Sequence, residues 1–212
     1  MNRLTVALPK GRLLRSAMEL FQTVGADFGS FTERSRKLIV DDTTGQYRFM
    51  MAKPFDIPTY VEYGTADLGI VGSDVLMEEA RDVIEPLDLR FGECRLVLAV
   101  PSFRASEELA RHKIHRIATK YPRITSRYFE ALGLQVETIK LYGSVELAPL
   151  SGLAEMIVDL VETGRTMKDN GLVPIAEVAS SSARFIVNRA SHKLYFDRIN
   201  TLIERLTEAV PC

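Results

Sequence analysis

The stretch Ile157-Val158-Asp159-Leu160-Val161-Glu162-Thr163-Gly164-Arg165-Thr166-Met167 combines the groups that hold a phosphate with a carboxylate that a bare phosphate does not need. Residues 157–161 are apolar except for Asp159 and read as a short buried strand. Thr163 and Gly164 make the turn that follows. Thr166 is placed to cap a short helix through Met167-Lys168-Asp169-Asn170, stopped at Gly171. Glycine lets the backbone come close to an anion, amides at a helix start point toward it, hydroxyls add donors, and the helix dipole favours negative charge. Two carboxylates, Glu146 upstream and Asp159, suit neighbouring sugar hydroxyls as acceptors. Phosphate donors beside hydroxyl acceptors describe a sugar phosphate. A Thr-Gly-x-Thr turn also serves as an ordinary strand-to-helix connection.

Cations cluster at a second place. Lys10-Gly11-Arg12 lies between an apolar strand and a helix, which suits phosphate or pyrophosphate and equally suits two solvated charges at a loop. Lys53 precedes another helix start, Arg34 and Arg36 precede a strand, and Lys120 ends one. Arg34 and Arg36 read as surface charges within reach of an anionic ligand, and Lys120 reads chiefly as solvent-facing. Asp74 opens a helix after Gly72-Ser73 and is read as a ligand contact or simply as a helix-start residue.

These groups need elements to position them. Leu4–Leu8 alternates like a strand and Pro9 ends it; Leu13, Leu14, Ala17, Met18 and Phe21 then share one helix face, closing near Gly25. Strands are predicted at 37–40 and 47–51 around Gly45, and a helix capped by Asp56 carries Pro58 in its first turn, with Gly64 just past its end. Buried strands follow at 68–71 and 95–100. A Glu-rich helical stretch comes after Ser106, then strand 116–119, a helix through Tyr128-Phe129 closed by Gly133, and strand 136–141. Ser180-Ser181-Ser182 breaks the chain before strand 183–187, and a last helix shows Tyr195, Ile199, Leu202, Ile203 and Leu206 on one face. Repeated strand–helix alternation with buried runs implies an α/β architecture, whose ligands sit beyond the carboxyl ends of the strands. Composition shows no linker, so domain count stays open on this ground.

The chain of 212 residues has 46% hydrophobic and 26% charged residues and a net charge of −1. That balance argues against nucleic acid as the main partner, so an anionic ligand must be met by local clusters. No apolar run approaches the roughly 20 residues of a membrane span, and the N-terminus lacks a signal peptide's apolar core. Cys94 and Cys212 form no pattern, which fits a reducing cytoplasm, and His112, His115 and His192 form no metal constellation.

The spacing Glu146, Gly152, Ala154, Ile157, Asp159-Leu160, Thr163-Gly164, Thr166-Met167 resembles the signature of the ATP phosphoribosyltransferase family. Leu8-Pro9-Lys10-Gly11-Arg12-Leu13, Asp56-Ile57-Pro58-Thr59-Tyr60-Val61 and Ala66-Asp67-Leu68-Gly69-Ile70-Val71-Gly72-Ser73-Asp74 are similar to further stretches of the family, so the resemblance covers essentially the whole chain. It is to the short form, which lacks a C-terminal regulatory domain. The resemblance implies an α/β, two-lobed type II periplasmic-binding-protein-like fold with two interlobe crossovers and a central cleft. Residues 1–94 plus 179–212 would form lobe I, on the ATP and pyrophosphate side, and 95–178 lobe II, on the 5′-phosphate side.

It also implies the reaction: N1 of ATP attacks C1 of phosphoribosyl pyrophosphate, giving phosphoribosyl-ATP and pyrophosphate, the first step of histidine biosynthesis. On that template Thr163, Gly164, Arg165 and Thr166 take the 5′-phosphate, while Glu146 and Asp159 accept from the ribose hydroxyls and help hold Mg²⁺ indirectly. Lys10, Arg12 and Lys53 are the catalytic cations that neutralise pyrophosphate and the triphosphate. Gly11, Arg34 and Asp74 are assigned to ATP, and no residue is assigned as a direct metal ligand. Expected partners are a second catalytic chain in a homodimer and a histidyl-tRNA-synthetase-like regulatory subunit in a hetero-oligomer. Neither nucleic acid nor a membrane is expected, and the catalytic chain is expected to have no histidine site of its own. Two rivals remain. One is a two-lobed solute binder without chemistry, which the missing export signal disfavours. The other is a phosphoribosyltransferase of the common type, whose paired acidic residues are absent because Val158 precedes Asp159.

Overall fold

A computed structural model describes residues 3–105 and 114–210. The chain first runs through β1 (Leu4–Pro9), α1 (Leu14–Thr23), β2 (Ile39–Asp41), β3 (Tyr47–Ala52), α2 (Ile57–Glu62), β4 (Leu68–Gly72), α3 (Ser73–Glu79) and β5 (Ile84–Asp88). It continues through β6 (Cys94–Pro101), β7 (His115–Thr119), α4 (Pro122–Ala131), β8 (Val136–Lys140), α5 (Leu147–Leu150), β9 (Met156–Val161), α6 (Arg165–Asp169) and β10 (Leu172–Ser181). It ends in β11 (Ala183–Val187), α7 (Arg189–Leu194) and α8 (Phe196–Ala209). The helix predicted after Ser106 falls largely on 106–113, outside the described residues.

Two compact units result, Met1–Gly92 with Ser182–Cys212, and Glu93–Ser181. Their boundaries differ by two or three residues from the lobes predicted at 1–94 plus 179–212 and 95–178. The reason is pairing: Cys94 lies opposite Ser181 and Arg95 opposite Ser180, so the ends of β6 and β10 belong to one ladder.

In the first unit six strands lie in the order β2-β3-β1-β4-β11-β5. β1 pairs in parallel with β3 and β4, while β11 runs antiparallel to β4. The period of two along β1 sends Leu4, Val6 and Leu8 to one face, where α1 and α8 cover them with Phe21, Ile199, Leu202 and Leu206. Ala7 points to the other face, under Ile57 and Val61 of α2 and Val75 of α3. There the approach is close enough to dictate a residue. A Cβ on Gly69 would stand 2.9 Å from Val61 and 3.0 Å from Ile57. With both faces covered, β4 carries a continuous apolar run, and β1, which reads as alternating in the sequence, is buried throughout except at the half-buried Thr5.

The second unit has the order β10-β6-β9-β7-β8, with β7 parallel to β8 and β9 and with β6 antiparallel to β9. Ile157 and Val161 of β9 join Val97, Ala118, Val145, Ala148 and Met167 in one core, which anchors α5 and α6 to that face. β5 and β10 are not anticipated by the sequence reading. Both are edge strands and both contain a proline, Pro86 and Pro174, which belongs where no neighbour needs its missing N–H. β10 reaches Ser181, so the serine run is the end of a strand rather than a break.

Candidate functional site

The groups expected to hold a sugar phosphate lie at the carboxyl end of β9. Its alternation places Asp159 between Ile157 and Val161 on the face that packs α5 and α6, so a carboxylate is set into an apolar surface. Burial pushes its pKa up to about 6. The negative charge of Glu146 acts in the same direction, while the Leu160 amide, donating at 2.8 Å, and the Lys120 ammonium oppose it. Glu146 is delivered by the turn before α5 and held there by its neighbours Val145 and Ala148, each 1% exposed.

Beyond β9 the chain turns at Thr163 and Gly164 and enters α6. Gly164, at φ 75°, occupies the cap position and the helix begins at Arg165. Thr166 therefore does not cap the helix as its hydroxyl suggests. It lies in the first turn, and its carbonyl accepts from Asn170 Nδ2 at 2.8 Å. The Lys168 amide makes the first helical bond, to Gly164 O at 3.1 Å, so the amides of Arg165, Thr166 and Met167 precede the helix ladder. Met167, 4% exposed, pins this turn to the core. A hollow of about 240 Å³ is lined by Glu146, Leu160, Val161, Glu162, Thr163, Gly164, Arg165, Thr166 and Met167. Five of the six residues predicted to hold the sugar phosphate line it together. Asp159 sits next to it in the strand.

The first unit carries the cationic site. Lys10 continues the pairing of β1 by donating its amide to Ala52 O at 2.8 Å, and Gly11 turns the chain at φ 95°. Lys10, Gly11, Arg36 and Lys37 line a second hollow of about 240 Å³, with Leu14, Phe31, Glu33, Ser35 and Met51. The segment that delivers Arg36 and Lys37 is anchored by Asp42, 3% exposed, which accepts from the amides of Asp27 at 2.7 Å and Gln46 at 3.1 Å.

Several predicted residues fall elsewhere. Arg12 donates Nη1 to the carbonyl of Gly92 at 3.0 Å and does not line the hollow. Leu13 packs so tightly on Gly92 that a Cβ there would stand 2.1 Å from Leu13 Cδ2. Arg34 lies outside the lining, which takes Arg36 instead. Lys53 is exposed at the start of a single 3₁₀ turn over Pro54–Asp56 and lines neither hollow. Asp56 makes no side-chain cap to α2. Asp74 is 5% exposed in the first turn of α3 and is also outside both hollows. The sequence reading left Lys120 to solvent. The structure puts it, half-buried, among the charges acting on Asp159. Among the described residues no group of three or more His, Cys, Asp or Glu side chains could hold a metal ion, and no helix is long and apolar enough to cross a membrane.

Fold and site define a two-unit α/β protein whose loops after β1 and β9 carry glycines, hydroxyls and cations around open hollows. The comparisons narrow that class. A family model described as ATP phosphoribosyltransferase (HisG) matches residues 53–208. The ATP phosphoribosyltransferase of Syntrophotalea carbinolica is 53% identical over 96% of this chain and 93% of its own length. Among solved structures, the ATP phosphoribosyl transferase (HisG:HisZ) complex from Thermotoga maritima aligns at a TM-score of 0.82 and 36% identity, covering 98% of each chain. The periplasmic aliphatic sulphonate binding protein SsuA of Escherichia coli aligns at a TM-score of 0.59 over 99% of this chain and 72% of its own, and at 11% identity that likeness concerns the fold alone. The chain belongs to the ATP phosphoribosyltransferase family, and its fold is of the periplasmic-binding-protein-like kind. The family's reaction is the first step of histidine biosynthesis.

Proposed function

We propose that the hollow after β9 takes the ribose 5-phosphate part of phosphoribosyl pyrophosphate, and that the Lys10 loop takes polyphosphate charge. The observation that carries this reading is the meeting of Glu146 and the Thr163–Thr166 turn around one hollow, with Asp159 beside it. The amides of Arg165, Thr166 and Met167, the hydroxyls of Thr163 and Thr166, and the Arg165 guanidinium suit the 5′-phosphate. Asp159 and Glu146 accept from the ribose hydroxyls. Adenine N1 of ATP supplies the electron pair for the new bond to C1. The bond from C1 to the diphosphate oxygen breaks, its pair leaves with pyrophosphate, and a proton leaves the adenine amino group. Within the first unit, Lys10, Arg36 and Lys37, with Arg12 and Lys53, are the cations that suit diphosphate charge. Holding two substrates in reacting geometry can contribute roughly 7–11 kcal/mol to the rate.

Mg²⁺ would enter this reading with the substrate, where it would spread the charge of the diphosphate. Assembly with a HisZ-like regulatory subunit is supported by the Thermotoga maritima complex, and a homodimer of catalytic chains is carried over from the family. A cytoplasmic location follows from where ATP is supplied. The test is to incubate the chain with ATP, phosphoribosyl pyrophosphate and Mg²⁺. Phosphoribosyl-ATP absorbance should rise in step with pyrophosphate and stop on adding EDTA. Binding of both substrates without product would leave a solute binder instead.

A further inference from the structure

Lys120 follows β7, and β7 runs parallel to β9 with Ala118 opposite Ile157 and Thr119 opposite Val158. One step further along that register, Lys120 comes level with Asp159. Paired residues of neighbouring strands project to the same face, so the lysine leaves the sheet on the side of the carboxylate. We propose that Lys120 is a positioning residue of the site, holding Asp159 as the ionised, acceptor-only group that ribose hydroxyls require. This rests on the reading of Asp159 as a ribose acceptor.

The chain on either side of Lys120 is locked. Thr119, fully buried, donates its hydroxyl to Val158 O at 2.7 Å and accepts from the Tyr121 amide at 2.9 Å. The hydroxyl of Thr125, also fully buried, stands 3.4 Å from that of Thr119. Tyr121 is 2% exposed and Pro122 fixes the first turn of α4. One hydroxyl thus ties the residue before Lys120 to the residue before Asp159. This is more local order than a solvated lysine needs.

The charges around Asp159 show what the lysine does. β6 presents Val97 opposite it, and Arg95 further along is paired with Glu177 at 3.5 Å. α6 presents Met167 to the core, with Arg165 and Asp169 paired at 3.7 Å on its exposed side beside Lys168. On the turn after β9, Glu162 is exposed. The turn before α5 supplies Glu146, and β7 supplies Lys120. Burial and Glu146 favour a proton on Asp159; the Leu160 amide opposes them more strongly than Lys120 does, and the Lys120 ammonium adds to that opposition from across the register. A protonated Asp159 would donate a hydrogen bond where the sugar needs an acceptor. Without the lysine, two carboxylates would also face an incoming ligand that is itself anionic.

The test compares wild type with Lys120→Met and Lys120→Arg. In wild type the acid limb of kcat/KM for phosphoribosyl pyrophosphate should lie near the Asp159 pKa of about 6. In Lys120→Met it should move to higher pH, so that activity relative to wild type is lower at pH 6 and nearly equal at pH 8. Lys120→Arg should return the limb toward wild type. Carbon-13 NMR of the Asp159 carboxyl in the unliganded protein should show the same displacement without any turnover. If Lys120→Met fails to fold, Lys120→Gln carries the same expectation. An active wild type whose variant shows neither a moved limb nor a moved NMR midpoint overturns this role and leaves the proposed function standing. A wild type that forms no phosphoribosyl-ATP would sink the functional reading, and the NMR midpoint would still decide whether Lys120 keeps Asp159 ionised.

Discussion

Replacing Asp159 with asparagine should make the protein more stable and much less active at the same time. The carboxyl's pKa stands at about 6 against an ordinary 3.8, with burial as the leading cause. A folded-state pKa above the unfolded one means that the native state holds the proton more tightly. The native state is therefore unpenalised below the ordinary value, loses stability as pH rises toward about 6, and bears the whole penalty above pH 7. At about 1.36 kcal/mol per pH unit the interval corresponds to about 3 kcal/mol, and for a half-buried group a gain of about 1–3 kcal/mol is the realistic range. Asparagine carries no charge to bury and keeps an Oδ1 that can accept from the Leu160 amide. Urea titrations of wild type and variant should show this gain at pH 8 and about half of it at pH 5. In the same samples kcat/KM for phosphoribosyl pyrophosphate should fall about tenfold to a hundredfold, the loss of hydrogen bonds to a charged acceptor. A variant that is less stable, or whose gain does not change with pH, would refute the electrostatic reasoning. Near-normal kcat/KM would remove Asp159 from substrate binding.

Other positions give independent checks. Gly164→Ala must place a side chain at φ 75°, which should cost about 1–2 kcal/mol and raise the KM for phosphoribosyl pyrophosphate. Gly133→Ala, at φ 68° and not part of the hollow, should show a similar loss in melting experiments with KM unchanged. Gly69→Ala drives a methyl group against Val61 and Ile57, so its denaturation midpoint should drop by the equivalent of about 1–3 kcal/mol, and an unaffected midpoint would mean that α2 sits further off. Arg12→Ala should lower kcat more than it raises KM, because leaving-group charge appears only in the transition state; a pure KM effect would make Arg12 a ground-state contact.

The hollow after β9 was legible in the sequence because most of its lining is local. An apolar alternation interrupted by Asp159, a Thr-Gly turn and a helix stopped by Gly171 lie within one short segment. Even there the cap was misread, since backbone freedom at Gly164 outweighed the hydroxyl of Thr166. The sequence showed less where the chain meets itself at a distance. Arg12 finds a carbonyl at Gly92, and Lys120 meets Asp159 only because β7 and β9 pair in parallel. Nothing in the sequence near Lys120 distinguishes it from a solvated lysine. That Arg36, and not Arg34, lines the Lys10 hollow was hidden for a similar reason. The side chain that lines it is selected by how the segment anchored at Asp42 is laid down, and residues 34–36 show no periodicity to reveal it. β5 and β10 stayed hidden because edge strands tolerate prolines and polar residues that obscure the alternation of a strand.

The most direct measurement is a crystal structure of the chain with phosphoribosyl pyrophosphate and Mg²⁺. The 5′-phosphate should lie on the amides of Arg165 and Thr166, with ribose hydroxyls on Asp159 and Glu146. A sugar phosphate bound with its phosphate elsewhere and Asp159 untouched would contradict that reading.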